Sequence, residues 1–199
     1  MIKWILLMIL CIPLYGCGIG ERPANELYVL KTDMQSGHRK TVPINIRIAE
    51  PEMAPGLDTD RIAVMSTPNQ LTYYTGAAWA QPLPQILQQF LMNTFQQSRT
   101  FKGVDSEQES ITPDVILLTE IQDYEVNNNV SPPTVRVRLT AKLVNANHKL
   151  LATIPIEKTE VAEVNHMPAI IAAFNKATDE VATDLLHWVG KHCTGENNQ

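Results

Sequence analysis

Between Val135 and Leu143 the chain alternates without a break: Val135, Val137, Leu139, Ala141 and Leu143 fall on one side, and Arg136, Arg138, Thr140 and Lys142 on the other. A period of two over nine residues is a strand with one face in a core and the other in water or against something polar. The short polar turn Asn145-Ala146-Asn147-His148 follows, so the next strand, from about Lys149 to Val161, returns antiparallel, with Pro155 marking an edge or a bulge. A half-buried sheet needs a cover, and two stretches have helical spacing. Leu83, Ile86, Leu87, Phe90, Leu91 and Phe95 form one apolar stripe; Ile170, Phe174, Ala177, Val181, Leu185 and Trp188 form another. Pro168 opens the second helix and Gly190 is expected to end it.

The remaining strands follow from shorter signals. Val115–Ile121 (VILLTEI) is the most apolar run after the leader and reads as a central strand continuing toward Val126. Leu27–Leu30, the alternation Ile44, Ile46, Ile48, the run Arg61–Met65 and Leu71–Tyr74 read as further strands. Gly76 with Pro82 and Pro84 is expected to be a turn, and Ser98–Pro113 a polar connection pinned by Phe101 and Val104. The expected fold is therefore α/β of the α+β type. It has one mixed, mostly antiparallel sheet of about five or six strands, packed by two amphipathic helices.

The first residues obey a different rule. Trp4 to Leu14 is almost wholly apolar behind Lys3, too short to cross a bilayer as a mature helix, and reads as a removable leader. Leu14-Tyr15-Gly16-Cys17 resembles the lipobox of bacterial lipoproteins, with Tyr15 departing from the usual small residue. The resemblance implies cleavage after Gly16, a diacylglyceryl group on the Cys17 sulfur and an N-acyl chain on its amine. With Gly18 next, it also implies sorting to the periplasmic face of the outer membrane. The division is then 1–16 leader, 17–26 anchor and tether, 27–192 a single domain and 193–199 a polar tail. Losing Lys3 with the leader moves the net charge from −5 to −6, and an acidic domain offers nucleic-acid phosphates little. Once Cys11 is cleaved away and Cys17 acylated, Cys193 has no partner for an internal disulfide.

Few residues suggest chemistry. His38, His148, His166, His187 and His192 share no metal-ligand spacing. Asp58, Asp60 and Arg61 read as a turn or a salt bridge, or else as a partner contact. Asp105, Glu107 and Glu109 lie in a polar loop, and no glycine-rich lysine loop for nucleotide phosphates occurs. The expectation is no enzyme, no catalytic or metal residues and no cofactor. Two surfaces stand out. Tyr73, Tyr74 and Trp79 either fill the core or contact a partner or lipid headgroup. Arg136, Arg138 and Lys142 are either solvated and internally paired or meet headgroups or a partner.

Taken with the lipobox, three stretches are similar to the ABC-type transport auxiliary lipoprotein family, which includes the PqiC-type proteins. They are Leu27-Tyr28-Val29-Leu30, Ala54-Pro55-Gly56-Leu57-Asp58-Thr59-Asp60-Arg61-Ile62-Ala63-Val64, and Leu71 to Pro84 (LTYYTGAAWAQPLP). The resemblance implies a non-enzymatic docking lipoprotein for a transporter of lipids or hydrophobic solutes. Its partners would be an MCE-domain protein and an ABC permease and ATPase. The alternative is a carrier that holds a lipid itself, in a groove between helix and sheet.

Overall fold

The sheet is built around β7 (Val115–Asn127), as the apolar run predicts. A computed structural model of the chain describes residues 25–32, 41–106 and 112–194. The leader, Cys17, most of the tether, His38, Glu107, Glu109 and the last five residues lie outside the described residues. One edge of β7 carries β8 (Thr134–Asn145) antiparallel along its whole length, and β9 (Leu150–Val161) pairs antiparallel with β8. The other edge of β7 is shared by three segments in succession, all parallel to it. β2 (Val42–Ile48) pairs at Val115–Leu117, β3 (Glu52–Met53) at Glu120 and Ile121, and β4 (Arg61–Thr67) at Val126 and Asn127. Beyond them, β6 (Phe101–Asp105) joins β2, β5 (Gln70–Trp79) joins β4, and β1 (Glu26–Tyr28) joins β5.

Nine strands are thus present among the described residues, against the five or six expected. The sheet is mixed, but its antiparallel character lies in three long ladders, while five further pairings are short and parallel. The extra strands are the short ones. β6 lies inside the stretch expected to be a connection; Phe101 is its inward anchor, and its backbone is held by β2 rather than by any pattern of its own. β3 is limited to two residues by Pro51 and Pro55.

Helices α1 (Leu83–Ser98) and α2 (Met167–Cys193) lie on one face of the sheet, α1 over β6 and β2, α2 over β8 and β9. The stripe read for α1 is buried in full, and α2 buries its stripe except Trp188, which is partly exposed. Two glycines behave differently from expectation. Gly76 is not a turn: β5 runs through it with φ +78°, and it stands in a bulge. Arg61 and Ala63 are paired with Ala78 and Tyr73, so the β5 side carries extra residues that a left-handed glycine helps absorb. Gly190 does not end α2, which continues to Cys193 because its apolar stripe continues through Val189. Its bare Cα faces Thr100, and Cys193 belongs to the helix rather than to the tail.

At the centre of the core, Trp79 meets Phe174 edge-on with ring centres 5.3 Å apart and lies 6.1 Å from Tyr124, while Tyr124 and Phe174 stack at 4.8 Å. The hydroxyl of Thr178 donates to the carbonyl of Phe174 (2.7 Å), which leaves the Tyr124 hydroxyl to donate to Thr178 Oγ1 (2.9 Å). Burial pushes the Tyr124 phenol well above its ordinary pKa. The buried Tyr124 hydroxyl is therefore satisfied by Thr178 beside the rings.

Candidate functional site

The three aromatics singled out by the sequence separate. Trp79 is 1% exposed, so its candidate role as a partner contact is corrected: the residue is core. The bulge before it turns the end of β5 so that the indole enters the space under α2. Tyr73 faces outward but is occupied. Its hydroxyl donates to the carbonyl of Gly56 (3.0 Å), and the Arg61 guanidinium lies 3.7 Å above its ring centre. Tyr74 is half-buried and exchanges hydrogen bonds with the Asn128 side chain at 3.3–3.4 Å, tying β5 to the segment after β7; burial raises its phenol pKa. Asp58 and Asp60 sit in the bend before β4, and Arg61 is the first residue of that strand. Thr59 Oγ1 accepts from the Arg61 backbone, and the carbonyl of Asp60 accepts from Trp79.

The loop under Tyr73 depends on Gly56, whose φ is +88°. A Cβ there would stand 2.9 Å from Leu71 Cδ2 and 3.4 Å from the Tyr73 hydroxyl. Gly56→Ala combines a disfavoured backbone with a steric clash, and the expected loss is about 1–3 kcal/mol, measured by urea unfolding.

Arg136, Arg138 and Lys142 project from the face of β8 opposite the helices, and each meets an acid. Arg136 Nε is 3.2 Å from Asp123 and 3.0 Å from Glu157; Arg138 bonds Asp123; Lys142 is 3.8 Å from Glu120. The stripe is therefore a charge-matched surface made by β7, β8 and β9, the internally paired arrangement that the sequence left open beside headgroup or partner contact. The pairs with Glu157 and Glu120 are largely exposed and contribute little to stability. Sequence reasoning missed the acids. The signal was available in β7: once the antiparallel register is drawn, Asp123 and Glu125 come opposite Arg138 and Arg136, and Glu120, opposite Thr140, lies diagonal to Lys142.

Glu125 is the unusual member of this face, only 7% exposed. Burial and the neighbouring Asp123 raise its pKa, and Arg136 and Arg138 offset part of the rise. The folded chain thus keeps this proton to higher pH than the unfolded chain, so the stability it contributes is present at low pH and lost as pH rises through the window. Glu125→Gln is expected to melt higher than the unaltered chain at about pH 7, with the difference shrinking near pH 4. Thermal melts of both proteins at the two pH values check it.

A second set of ion pairs joins β9 to α2: Lys158 to Asp184 (2.7 Å) and Glu180 (4.0 Å), and Lys176 to Glu160 (2.7 Å). His166 caps α2 by accepting from the Ala169 backbone, His148 takes φ +58° in the β8–β9 turn, and His192 contacts the Trp188 carbonyl. Among the described residues no three His, Cys, Asp or Glu side chains are grouped to hold a metal. The Cys193 thiol is half-buried, and burial, with Asp114 nearby, raises its pKa to about 11, so it is a poor nucleophile. Open depressions lie on the surface among the described residues, one of them, of about 550 Å³, beside Lys31, Asn175 and Asp179. One of about 200 Å³ adjoins Glu50, Glu52, Glu120 and Lys142, and one of about 470 Å³ runs between β9 and Trp188.

Fold and site together define a two-layer α+β domain that presents matched polar surfaces over a filled core. The chain belongs to the ABC-type transport auxiliary lipoprotein component family, whose model matches residues 28–185. It is 25% identical over 171 residues to an uncharacterized protein, bll6063, of Bradyrhizobium diazoefficiens, a match covering 85% of this chain; the chain spans about half (46%) of that relative's length. Among solved structures it is similar to protein XCC0632 from Xanthomonas campestris, with TM-score 0.78 and 23% identity over 87% of this chain and all of that one. It is also similar to the hypothetical protein CT253 from Chlamydia trachomatis, with TM-score 0.56 and 5% identity over 76% of this chain and 98% of that one. These two likenesses concern the fold.

Proposed function

We propose that this chain is a non-enzymatic lipoprotein, held on the periplasmic face of the outer membrane by acyl chains on Cys17. There it serves as the docking component of an ABC transport system for lipids or hydrophobic solutes, in contact with an MCE-domain protein. The observation that carries this reading is the extent of the family match: residues 28–185 take in nearly every strand and most of both helices. A transport auxiliary works by contact, and the interior supports that role. The space between helices and sheet, where a carrier would need a groove, is occupied by Trp79, Phe95, Tyr124 and Phe174, each at 0–1% exposure. That packing favours docking over carriage.

Photo-crosslinking in cells from Tyr74 and from the exposed Leu150, followed by identification of the attached proteins, tests the proposal. Recovery of an MCE-domain protein or an ABC permease is the expected result. Recovery of peptidoglycan-associated proteins alone overturns it. Stoichiometric phospholipid on the purified domain in native mass spectrometry would instead establish the carrier.

A further inference from the structure

The direction of the strands decides which end of the domain faces the tether. β4 runs parallel to β7, β5 antiparallel to β4, and β1 parallel to β5. Traced through these pairings, β1 enters from the end where β7 and β9 finish and β8 begins. Val64 is level with Val126, Arg61 lies three residues further back along β4, and Glu26 pairs beside the Ala78 that faces Arg61. Glu26 is therefore ~13 Å from that end of the sheet, at about 3.3 Å per residue. From Cys17 to Glu26 the chain can span at most ~30 Å. That is enough to pass the near end, but not enough to double back beyond the far one.

The near end has an unusual surface. It consists of the Thr67–Gln70 turn, residues 127–133 and residues 161–166. Between them they hold three outward valines, Val130 (45% exposed), Val161 (56%) and Val164 (49%). In a chain with 19% charged residues, these segments contain one carboxylate, Glu163, with no lysine or arginine; the rest is mainly Asn, Pro, Ser, Thr and Gln. The far end also exposes two leucines, Leu150 (55%) and Leu151 (48%), but it carries the charges of Lys149, Asp114 and Lys191 and the imidazole of His192 as well. Uncharged amide and hydroxyl side chains around exposed valines suit the headgroup layer of a zwitterionic bilayer, which needs no counter-charge.

We infer that the end of the domain formed by Val130, Val161 and Val164 rests on the lipid surface that holds the acyl chains, so the β8–β9 turn points away from it. This rests on the Cys17 anchor of the preceding proposal. Three valines bind a membrane weakly on their own. Tethering raises the local concentration of surface to the millimolar range, where weak contact is enough to orient the domain.

The test uses the full lipidated chain in phosphatidylcholine vesicles. An environment-sensitive fluorophore is placed through Val130→Cys, Val164→Cys or, as the far-end control, Leu151→Cys, each in a Cys193→Ser background. Spin-labelled lipids are expected to quench the probes at 130 and 164 several-fold more than the probe at 151, with blue-shifted emission. Equal quenching at all three sites, or none at 130 and 164 in a vesicle-bound chain, overturns the orientation and leaves the anchor standing. Probes shielded from an aqueous quencher without lipid quenching show that protein covers this end, which also overturns it. A chain that stays in solution overturns the anchor and the orientation together.

Discussion

Replacing Trp79 with alanine is expected to destabilise the fold by about 3–5 kcal/mol, the largest loss from any single side chain discussed above. The indole is 1% exposed and packs edge-on against Phe174 and near Tyr124, so its removal strips contacts from two further aromatic rings. It also closes the β5 bulge: its backbone N–H donates to Asp60, while Tyr28 accepts from Ala80 beside it. The cavity would open between sheet and α2, where β5, β7 and a helix all contribute walls and cannot collapse together. Urea unfolding of Trp79→Ala should show a lower midpoint with an unchanged slope. Trp79→Phe, which keeps an aromatic edge, should recover part of the loss. If Trp79→Ala unfolds like the unaltered chain but loses crosslinked partners, the indole is a contact residue after all.

Substitution of Cys17 by serine is the second large effect, and it acts outside the fold. Burial of acyl methylenes contributes about 0.8 kcal/mol per CH₂, and a chain with several acyl groups is retained where one acyl group would leak. Among the described residues no helix is long and apolar enough to cross a membrane, so no described helix would stand in as a span for the proposed acyl anchor. Cys17→Ser should move the protein from the membrane pellet after carbonate washing to the soluble fraction or to an unprocessed precursor, without altering the melting temperature of the domain. Unchanged fractionation would remove the lipid from the account.

Much of this architecture was readable in the residues, and what was not readable has a common cause. The ladder β7–β8–β9 and both helical stripes were legible because each is long enough for its period to repeat. β3 and β6 hold two and five residues and pair in parallel with partners distant in sequence, so their order comes from neighbours; β1 was legible as the strand at Leu27–Leu30, but not its parallel place beside β5. Gly76 and Gly190 were both read as punctuation, and both instead sit inside regular elements, one in a bulge and one against Thr100. Tyr73, Tyr74 and Trp79 lie within seven residues of one another in the sequence, yet they separate in the fold. Local spacing could not separate them, because the bulge that sends Trp79 inward depends on its pairing with β4. The cations of β8 were evident from alternation, whereas their neutralisation by Asp123, Glu120 and Glu157 required the register.

The three residues of β1 have a mechanical consequence. They run in the same direction as β5, and just beyond them the Lys31 backbone and the Thr32 hydroxyl are pinned to Asn175 and Asp179 of α2. A pull transmitted along the lead-in therefore strains several hydrogen bonds side by side in shear instead of unzipping them singly. Load from a shifting envelope would pass straight into the ring cluster at Trp79, so this end should tear free only when the globule itself gives way.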